Sequence, residues 1–203
     1  MKLAFLTDPL DSFKTYKDST FAMMREAASR GHRLFAFGPE DMALENGQVV
    51  ARSREIRLTG DSEHWYQADT PQDTPLQQFD AVLQRKDPPF DMEYVYATYL
   101  LELAEQQGAR VFNRPAAIRS HNEKLSIAQF SQFTAPTLVT RDAARIRAFH
   151  ASHGDIILKP LDGMGGSGIF RVREDGLNLG SVIEGLTQLG SRTIMVQRYI
   201  PEI

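Results

Sequence analysis

The sequence contains no cysteine, no long apolar segment and no excess of positive charge. Without cysteine the chain has no disulfide, no zinc–thiolate site and no cysteine nucleophile, which fits a reducing compartment. The apolar start, MKLAFLT, stops at Asp8-Pro9. It is too short for the apolar region of a signal peptide, and no other stretch approaches membrane-spanning length. We therefore expect a cytoplasmic protein without a membrane segment.

The charge pattern excludes further classes of function. The formal net charge of the 203 residues is −3, so nothing indicates a nucleic acid or an anionic membrane as partner. The five histidines show no metal-ligand spacing, and the carboxylates are scattered rather than paired. No Ser/His/Asp arrangement is evident. The sequence therefore assigns no catalytic residue and no metal ligand.

The first 120 residues alternate between strand and helix patterns, which predicts a doubly wound α/β domain with a parallel sheet. A tight turn at Asn46-Gly47 and a loop over Gly60–Pro75 are expected within it. Ligands of such sheets lie outside the carboxyl ends of the strands. The predicted strands are Leu3–Thr7, Arg33–Phe37, Gln48–Ala51, Glu55–Leu58, Phe79–Gln84 and Arg110–Asn113, and the predicted helices begin near Phe21 and at Met92.

The pattern changes to α+β after a predicted helix over Ala116–Phe133, and we place a domain boundary near His121. Residues 1–121 and 122–203 then form two domains. The expected elements of the second are strands at Thr137–Val139, Ile156–Lys159, Ile169–Arg173 and Thr193–Ile200, and helices at Asp142–His153 and Leu179–Leu189.

A strand, a lysine and a glycine-rich loop follow one another in DIILKPLDGMGGSGIF, residues Asp155–Phe170. Glycines let backbone N–H groups converge on an anion, and a lysine beside them supplies a point charge for phosphate. The lysine precedes the glycines and the following residues look extended, so neither common phosphate fingerprint is present. Two interpretations remain: a flap that closes over a polyphosphate, or a flexible hairpin with a surface lysine, Lys159.

Three other stretches are candidates for a site. Lys124 is either a solvated helix charge or a second cation for a polyphosphate. Met195–Ile200 is either a core strand or a strand whose end pairs with the edge of adenine. Arg85–Asp87 is either a self-neutralising surface triplet or a site for an amino-acid-like substrate, because arginine binds carboxylates and aspartate accepts from amines.

Taken together, these stretches resemble the bacterial glutathione synthetases, which are ATP-grasp ligases. The resemblance covers nearly the whole chain, and RKDPPFD with ILKPLDGMGG is its most specific part. The matching stretches are KDSTFAMM at Lys17–Met24, VLQRKDPPFD at Val82–Asp91, YATYLLE at Tyr96–Glu102, NEKL at Asn122–Leu125 and DIILKPLDGMGGSGIFRV at Asp155–Val172.

The resemblance implies a reaction in which ATP, γ-glutamylcysteine and glycine give glutathione, ADP and phosphate through an acyl phosphate. It also implies roles for individual residues. Lys124 and Lys159 would hold ATP phosphates under a mobile loop, and Gln197–Ile200 would bind adenine. The loop residues are Gly163, Met164, Gly165, Gly166, Ser167 and Gly168, the connector residues are Gln197, Arg198, Tyr199 and Ile200, and the residues facing the peptide are Ser19, Arg85, Lys86 and Asp87.

The family pattern continues beyond Ile203 for about another domain, and that part carries the Mg²⁺ ligands. We therefore expect residues 122–203 to be the first subdomain of an incomplete ATP-grasp fold, and the isolated chain to bind nucleotide weakly and to make little glutathione. An apolar face should be covered by a second copy of the chain or by the missing part. Two alternatives stay open: another ATP-dependent carboxylate–amine ligase, and a non-catalytic nucleotide-binding fragment.

Overall fold

The computed structural model of the chain describes residues 1–202, which divide into two compact units at Ser120/His121. No helix among residues 1–202 combines the length and the apolar character needed to cross a membrane.

The first unit is built on an eight-stranded mixed sheet with the order β3-β4-β2-β1-β7-β8, in which β5 and β6 also pair with β4. Strands β2, β1, β7 and β8 are parallel, and β3 to β6 form antiparallel pairs at one side. The elements are β1 (Lys2–Leu6), α1 (Ser19–Ser29), β2 (Arg33–Phe37), β3 (Met42–Glu45), β4 (Gln48–Leu58), β5 (Tyr66–Ala68), β6 (Gln72–Pro75), β7 (Ala81–Gln84), α2 (Met92–Gln106), β8 (Val111–Phe112) and α3 (Pro115–Ser120).

Helices α1 and α2 cover opposite faces of this sheet. Side chains alternate between the two faces along a strand, and β1 shows both environments. Leu6 belongs to a core cluster with Leu101 of α2, whereas the adjacent Phe5 packs in a separate cluster with Met24 of α1. The prediction of a doubly wound sheet is therefore confirmed.

Aspartate caps set the points at which both helices begin. The Asp18 carboxylate accepts a hydrogen bond of 2.8 Å from the Phe21 N–H, and Asp91 accepts one of 2.9 Å from the Tyr94 N–H. Each cap satisfies a backbone donor that the helix leaves free and contributes about 1 kcal/mol. The cap at Asp18 places Ser19 and Thr20 in the first turn of α1.

Two expectations for the middle of this unit were wrong. The predicted pair of short strands is one continuous strand, β4, which spans 11 residues. The predicted loop over Gly60–Pro75 contains β5 and β6, both paired with β4. These edge strands are short and polar because backbone hydrogen bonds to β4, rather than an apolar face, hold them.

The second unit is an antiparallel four-stranded sheet with the order β11-β10-β12-β9. One face packs against two helices through a cluster that includes Ile156, Leu158, Val196, Ile146 and Ile183. Because side chains alternate, Lys159 lies on the opposite face. The elements are β9 (Thr137–Thr140), α4 (Ala143–His153), β10 (Ile156–Pro160), β11 (Phe170–Val172), α5 (Leu179–Thr187) and β12 (Ile194–Arg198).

The single helix predicted over Ala116–Phe133 was also wrong. Helix α3 ends at Ser120, and a 3₁₀ segment, Leu125–Phe133, begins after a break. Asn122 explains the restart, since its side-chain oxygen accepts hydrogen bonds of 3.1 Å from the Lys124 N–H and 2.9 Å from the Leu125 N–H. An asparagine that bonds to nearby backbone in this way competes with a continuous helix.

Candidate functional site

Two lysines converge beside the glycine loop of the second unit, as the sequence predicts. Lys159 is half-buried on β10, and its pKa is lowered, first by burial and then by the positive charge of Lys124. The Lys124 ammonium donates to the Gly163 carbonyl and forms an ion pair of 2.9 Å with Glu123. A partly desolvated pair of like charges is stabilised when an anion arrives, so this corner suits a polyphosphate.

The loop from Gly163 to Gly168 is exposed at its tip and has backbone that favours glycine. Gly165 and Gly166 have φ values of +64° and +81°. Nothing lies within 4 Å of a Cβ built on either residue, so the need for glycine there is conformational rather than steric. Hydrogen bonds of 3.2 Å from the Ser167 N–H to Met164 and 3.3 Å from the Ile169 N–H to Gly166 form consecutive turns in the loop.

The base of the loop is held in place from two sides. The Asn122 side-chain amide donates to the Leu161 carbonyl at 3.1 Å, and Arg192 forms an ion pair with Asp162. The loop therefore has an anchored base and an exposed tip, which is the arrangement expected of a small lid.

The exit of β12 carries the predicted connector, Gln197–Ile200. The Gln197 amide donates to the Thr137 hydroxyl at 2.9 Å. The N–H groups of Arg198 and Tyr199 donate to the Pro136 and Asp155 carbonyls at 3.0 and 2.9 Å. These groups already have protein partners, so the next backbone donor along the chain is the Ile200 N–H.

In the first unit, Lys86 and Asp87 meet Asp8 at the carboxyl ends of β7 and β1. The Lys86 ammonium lies 2.6 Å from one Asp8 carboxylate oxygen, and the Asp87 N–H donates to the other at 2.9 Å. Leu6 and Gln84 are partners in the parallel pair β1–β7, so the residues that follow them emerge side by side. The charge of Lys86 is thus neutralised within the protein.

Arg85 is held by neutral partners. Its guanidinium donates to the Ser19 hydroxyl at 2.9 Å and to the Thr20 hydroxyl at 3.1 Å. Among residues 1–202, neither Arg85 nor the Asp87 carboxylate takes part in an ion pair within 4.0 Å. One uncompensated positive group and one uncompensated negative group therefore lie at the same strand ends.

Burial raises the pKa of Asp87, and the carboxylates of Asp8 and Asp18 raise it further. A partly desolvated carboxyl among other carboxylates is stabilised by a cation. A cleft of about 510 Å³ lies next to Lys86, with Pro89, Tyr94 and Tyr96 among its other lining residues.

The described residues do not fit a magnesium ion. Among residues 1–202 no group of three or more histidine, aspartate or glutamate side chains is placed to hold a metal. We therefore assign no chemical step to a metal in this chain.

Sequence reasoning missed several partners that position these groups. Thr20 and Asn122 lie in the matching stretches KDSTFAMM and NEKL but had no assigned role, and Arg192 lies in none of the matching stretches. Their roles depend on contacts between segments that are distant in sequence, with separations of 65, 39 and 30 residues.

Models of two families match the chain. "Prokaryotic glutathione synthetase, N-terminal domain" covers residues 1–119, and "Prokaryotic glutathione synthetase, ATP-grasp domain" covers residues 123–203. The chain belongs to the prokaryotic glutathione synthetase family.

Curated relatives agree with this assignment. The glutathione synthetase of Ralstonia nicotianae is 62% identical over 203 residues, which are 100% of this chain and 63% of that protein. The glutathione synthetase of Neisseria meningitidis serogroup A is 58% identical over 207 residues, with coverage of 100% and 65%. The chain therefore spans slightly less than two-thirds of the length of these synthetases.

Solved structures show that this family member has an ATP-grasp-type fold. D-cycloserine synthetase DcsG matches with a TM-score of 0.65 at 16% identity, covering 98% of this chain and 60% of that one. A RimK domain ATP-grasp protein from Sphaerobacter thermophilus matches with a TM-score of 0.62 at 22% identity, covering 99% and 64%. At such identities the likeness concerns the fold alone.

Proposed function

We propose that the chain supplies the nucleotide-binding and peptide-binding parts of a glutathione synthetase. In the proposed reaction, the cysteinyl carboxylate of γ-glutamylcysteine attacks the γ-phosphoryl group of ATP, and ADP leaves. The glycine nitrogen then attacks the acyl phosphate, phosphate leaves, and the amine loses a proton to give glutathione. The observation that carries the proposal is the family match along the whole chain, which has curated synthetases at up to 62% identity.

The second unit binds ATP in this proposal. Lys124 and Lys159 hold the phosphates, because their two charges lie together where Lys159 is half-buried. Gly163–Gly168 closes over the phosphates and excludes water from the acyl phosphate. The adenine edge pairs at Gln197–Ile200, and the donors that are already engaged favour the Ile200 N–H.

The first unit binds γ-glutamylcysteine by its glutamyl end. A glutamate linked through its side chain keeps both a free α-carboxylate and a free α-ammonium group. Arg85, supported by Ser19, binds the carboxylate, and Asp87 accepts from the ammonium. Lys86 orients this segment through Asp8 rather than adding charge to the site. A peptide linked through the α-carboxyl lacks the matching pair.

The test is calorimetry on the chain with ATP, γ-glutamylcysteine and α-glutamylcysteine. We expect binding of ATP and a preference of at least about tenfold for the γ-linked peptide, because one charge-assisted contact is lost otherwise. Equal affinity for both peptides would refute the assignment of Arg85 and Asp87. A preference for unrelated amino acids would favour another ATP-dependent ligase, and binding of no nucleotide would contradict the ATP assignment.

Exposed apolar side chains support association with a second copy of the chain or with a further polypeptide. In the second unit Phe133 and Phe130 are 82% and 54% exposed, and Ile169 and Phe170 are also exposed. Sedimentation analysis that shows only monomer, without binding of a hydrophobic dye, would contradict such an association. The absence of cysteine supports a cytoplasmic location for the reaction.

A further inference from the structure

An arginine on β11 joins two segments at the exit of β12. The Arg171 guanidinium donates to both carboxylate oxygens of Asp155, at 3.0 and 2.6 Å, and lies 3.5 Å from the centroid of the Tyr199 ring. The Tyr199 N–H donates to the Asp155 carbonyl at 2.9 Å. Three contacts therefore close a small ring of residues, which we call the connector clamp: Asp155, Arg171 and Tyr199.

The clamp uses features that only arginine supplies. A planar guanidinium binds a carboxylate with two parallel bonds and stacks on an aromatic face at the same time. The ion pair holds the pKa of the Asp155 carboxyl below its usual range. Lysine offers a single charge without the plane, so it replaces neither the two-pronged bond nor the stack.

The position of the clamp suggests its role. Tyr199 follows the last residue of β12, Arg198, and precedes Ile200, the donor assigned to adenine above. The clamp fixes the Tyr199 backbone and ring, and hence the direction in which the Ile200 N–H leaves the sheet. The lysines that hold phosphate do not belong to the clamp.

We propose that Asp155, Arg171 and Tyr199 are positioning residues that orient the connector for the nucleotide base, separately from the phosphate contacts. This inference rests on the proposed ATP site. It predicts that losing the clamp weakens binding of the base and leaves binding of the polyphosphate unchanged.

The first measurement is amide hydrogen exchange on the ligand-free chain. Arg171→Met should speed exchange of the Tyr199 amide about five- to tenfold, since a cation–π contact and a two-pronged ion pair are lost together. Arg171→Lys should restore little of the protection, and Tyr199→Phe, which keeps the ring, should match the wild type. The control is Arg145→Met, which removes an exposed arginine on α4 whose carboxylate partner lies 4.0 Å away. Unchanged exchange at Tyr199 in Arg171→Met would overturn the proposal.

The second measurement compares ATP with inorganic tripolyphosphate by calorimetry. Arg171→Met should weaken ATP binding about five- to tenfold and tripolyphosphate binding less than twofold. Equal weakening of both ligands would overturn the positioning role. If Arg171→Met does not fold, Tyr199→Leu removes the stacking face by a milder change and must give the same split. A wild-type chain that binds neither ligand refutes the proposed ATP site, whereas the exchange result still decides whether the clamp orders the connector.

Discussion

Replacing Lys159 by methionine separates the effect of this charge on the stability of the ligand-free chain from its contribution to ATP binding. Methionine keeps a long, unbranched and apolar side chain on β10, so packing of the lysine stem is largely retained. The ammonium group disappears, and with it both causes that lower the pKa of Lys159: burial and the charge of Lys124. The ligand-free chain should therefore be at least as stable as the wild type.

Binding of ATP should change in the opposite direction. A hydrogen bond to a charged group contributes about 1.5–3 kcal/mol, so losing the Lys159 contact should raise the Kd for ATP roughly 10- to 150-fold. Affinity for γ-glutamylcysteine should stay within about twofold, because that site is assigned to the first unit.

The assay combines thermal unfolding with calorimetry for both ligands. Lys2→Met is the matched control: it removes an exposed lysine at the start of β1, away from the carboxyl strand ends, and should change neither affinity. Equal losses for ATP and peptide would refute the reasoning, since they would indicate general damage. A clear loss of stability without a change in ATP affinity would show that Lys159 has a structural role instead.

Three further predictions follow from local geometry. Gly166→Ala should lower ATP affinity several-fold, because a left-handed conformation costs a non-glycine residue about 1 kcal/mol. The matched Gly185→Ala in α5, where no atom lies within 4 Å of the new Cβ, should raise the free energy of unfolding by about 0.5–1 kcal/mol. If Gly166→Ala raised the free energy of unfolding in the same way, a special loop conformation would be contradicted. The pKa of Asp87 is raised in the folded chain. The free energy of unfolding should therefore fall as pH rises from the unfolded-state pKa of about 3.9 through the folded-state pKa. Asp87→Asn should remove this pH dependence in unfolding measurements. A steeper slope in Asp87→Asn would show that the sign is wrong.

The alternation of strand and helix patterns predicted the parallel core and its helices because those elements bury continuous apolar faces. Strand Arg33–Phe37 was predicted with the same limits that the structure shows, and helix Met92–Gln106 begins at the predicted residue. Edge strands β5 and β6 escaped prediction because backbone pairing to β4 holds them, and pairing leaves no apolar signature.

The candidate site also has features that the sequence predicted and features that it did not. The glycine loop and its lysine stand out because their residue types are unusual at that spacing, and the structure brings Lys124 close to Lys159, as expected. The separate roles of Arg85, Lys86 and Asp87 could not be predicted from the sequence. Three adjacent charges look self-neutralising, whereas Lys86 alone pairs with Asp8, a residue 78 positions away. Only the register of β1 against β7 reveals that partner.

The pairing of Lys86 with Asp8 has a consequence for how ligand is captured. With that charge cancelled, Arg85 and Asp87 leave one positive and one negative group, so the site has a local dipole with little net charge. The field of such a dipole falls off faster with distance than that of a net charge, and salt in the solution screens it further. Capture of a zwitterionic glutamyl group should therefore depend weakly on ionic strength, while the dipole still selects one orientation of the glutamyl end. A site with a net charge would speed the encounter with a charged ligand, but it would not orient a zwitterionic group in this way.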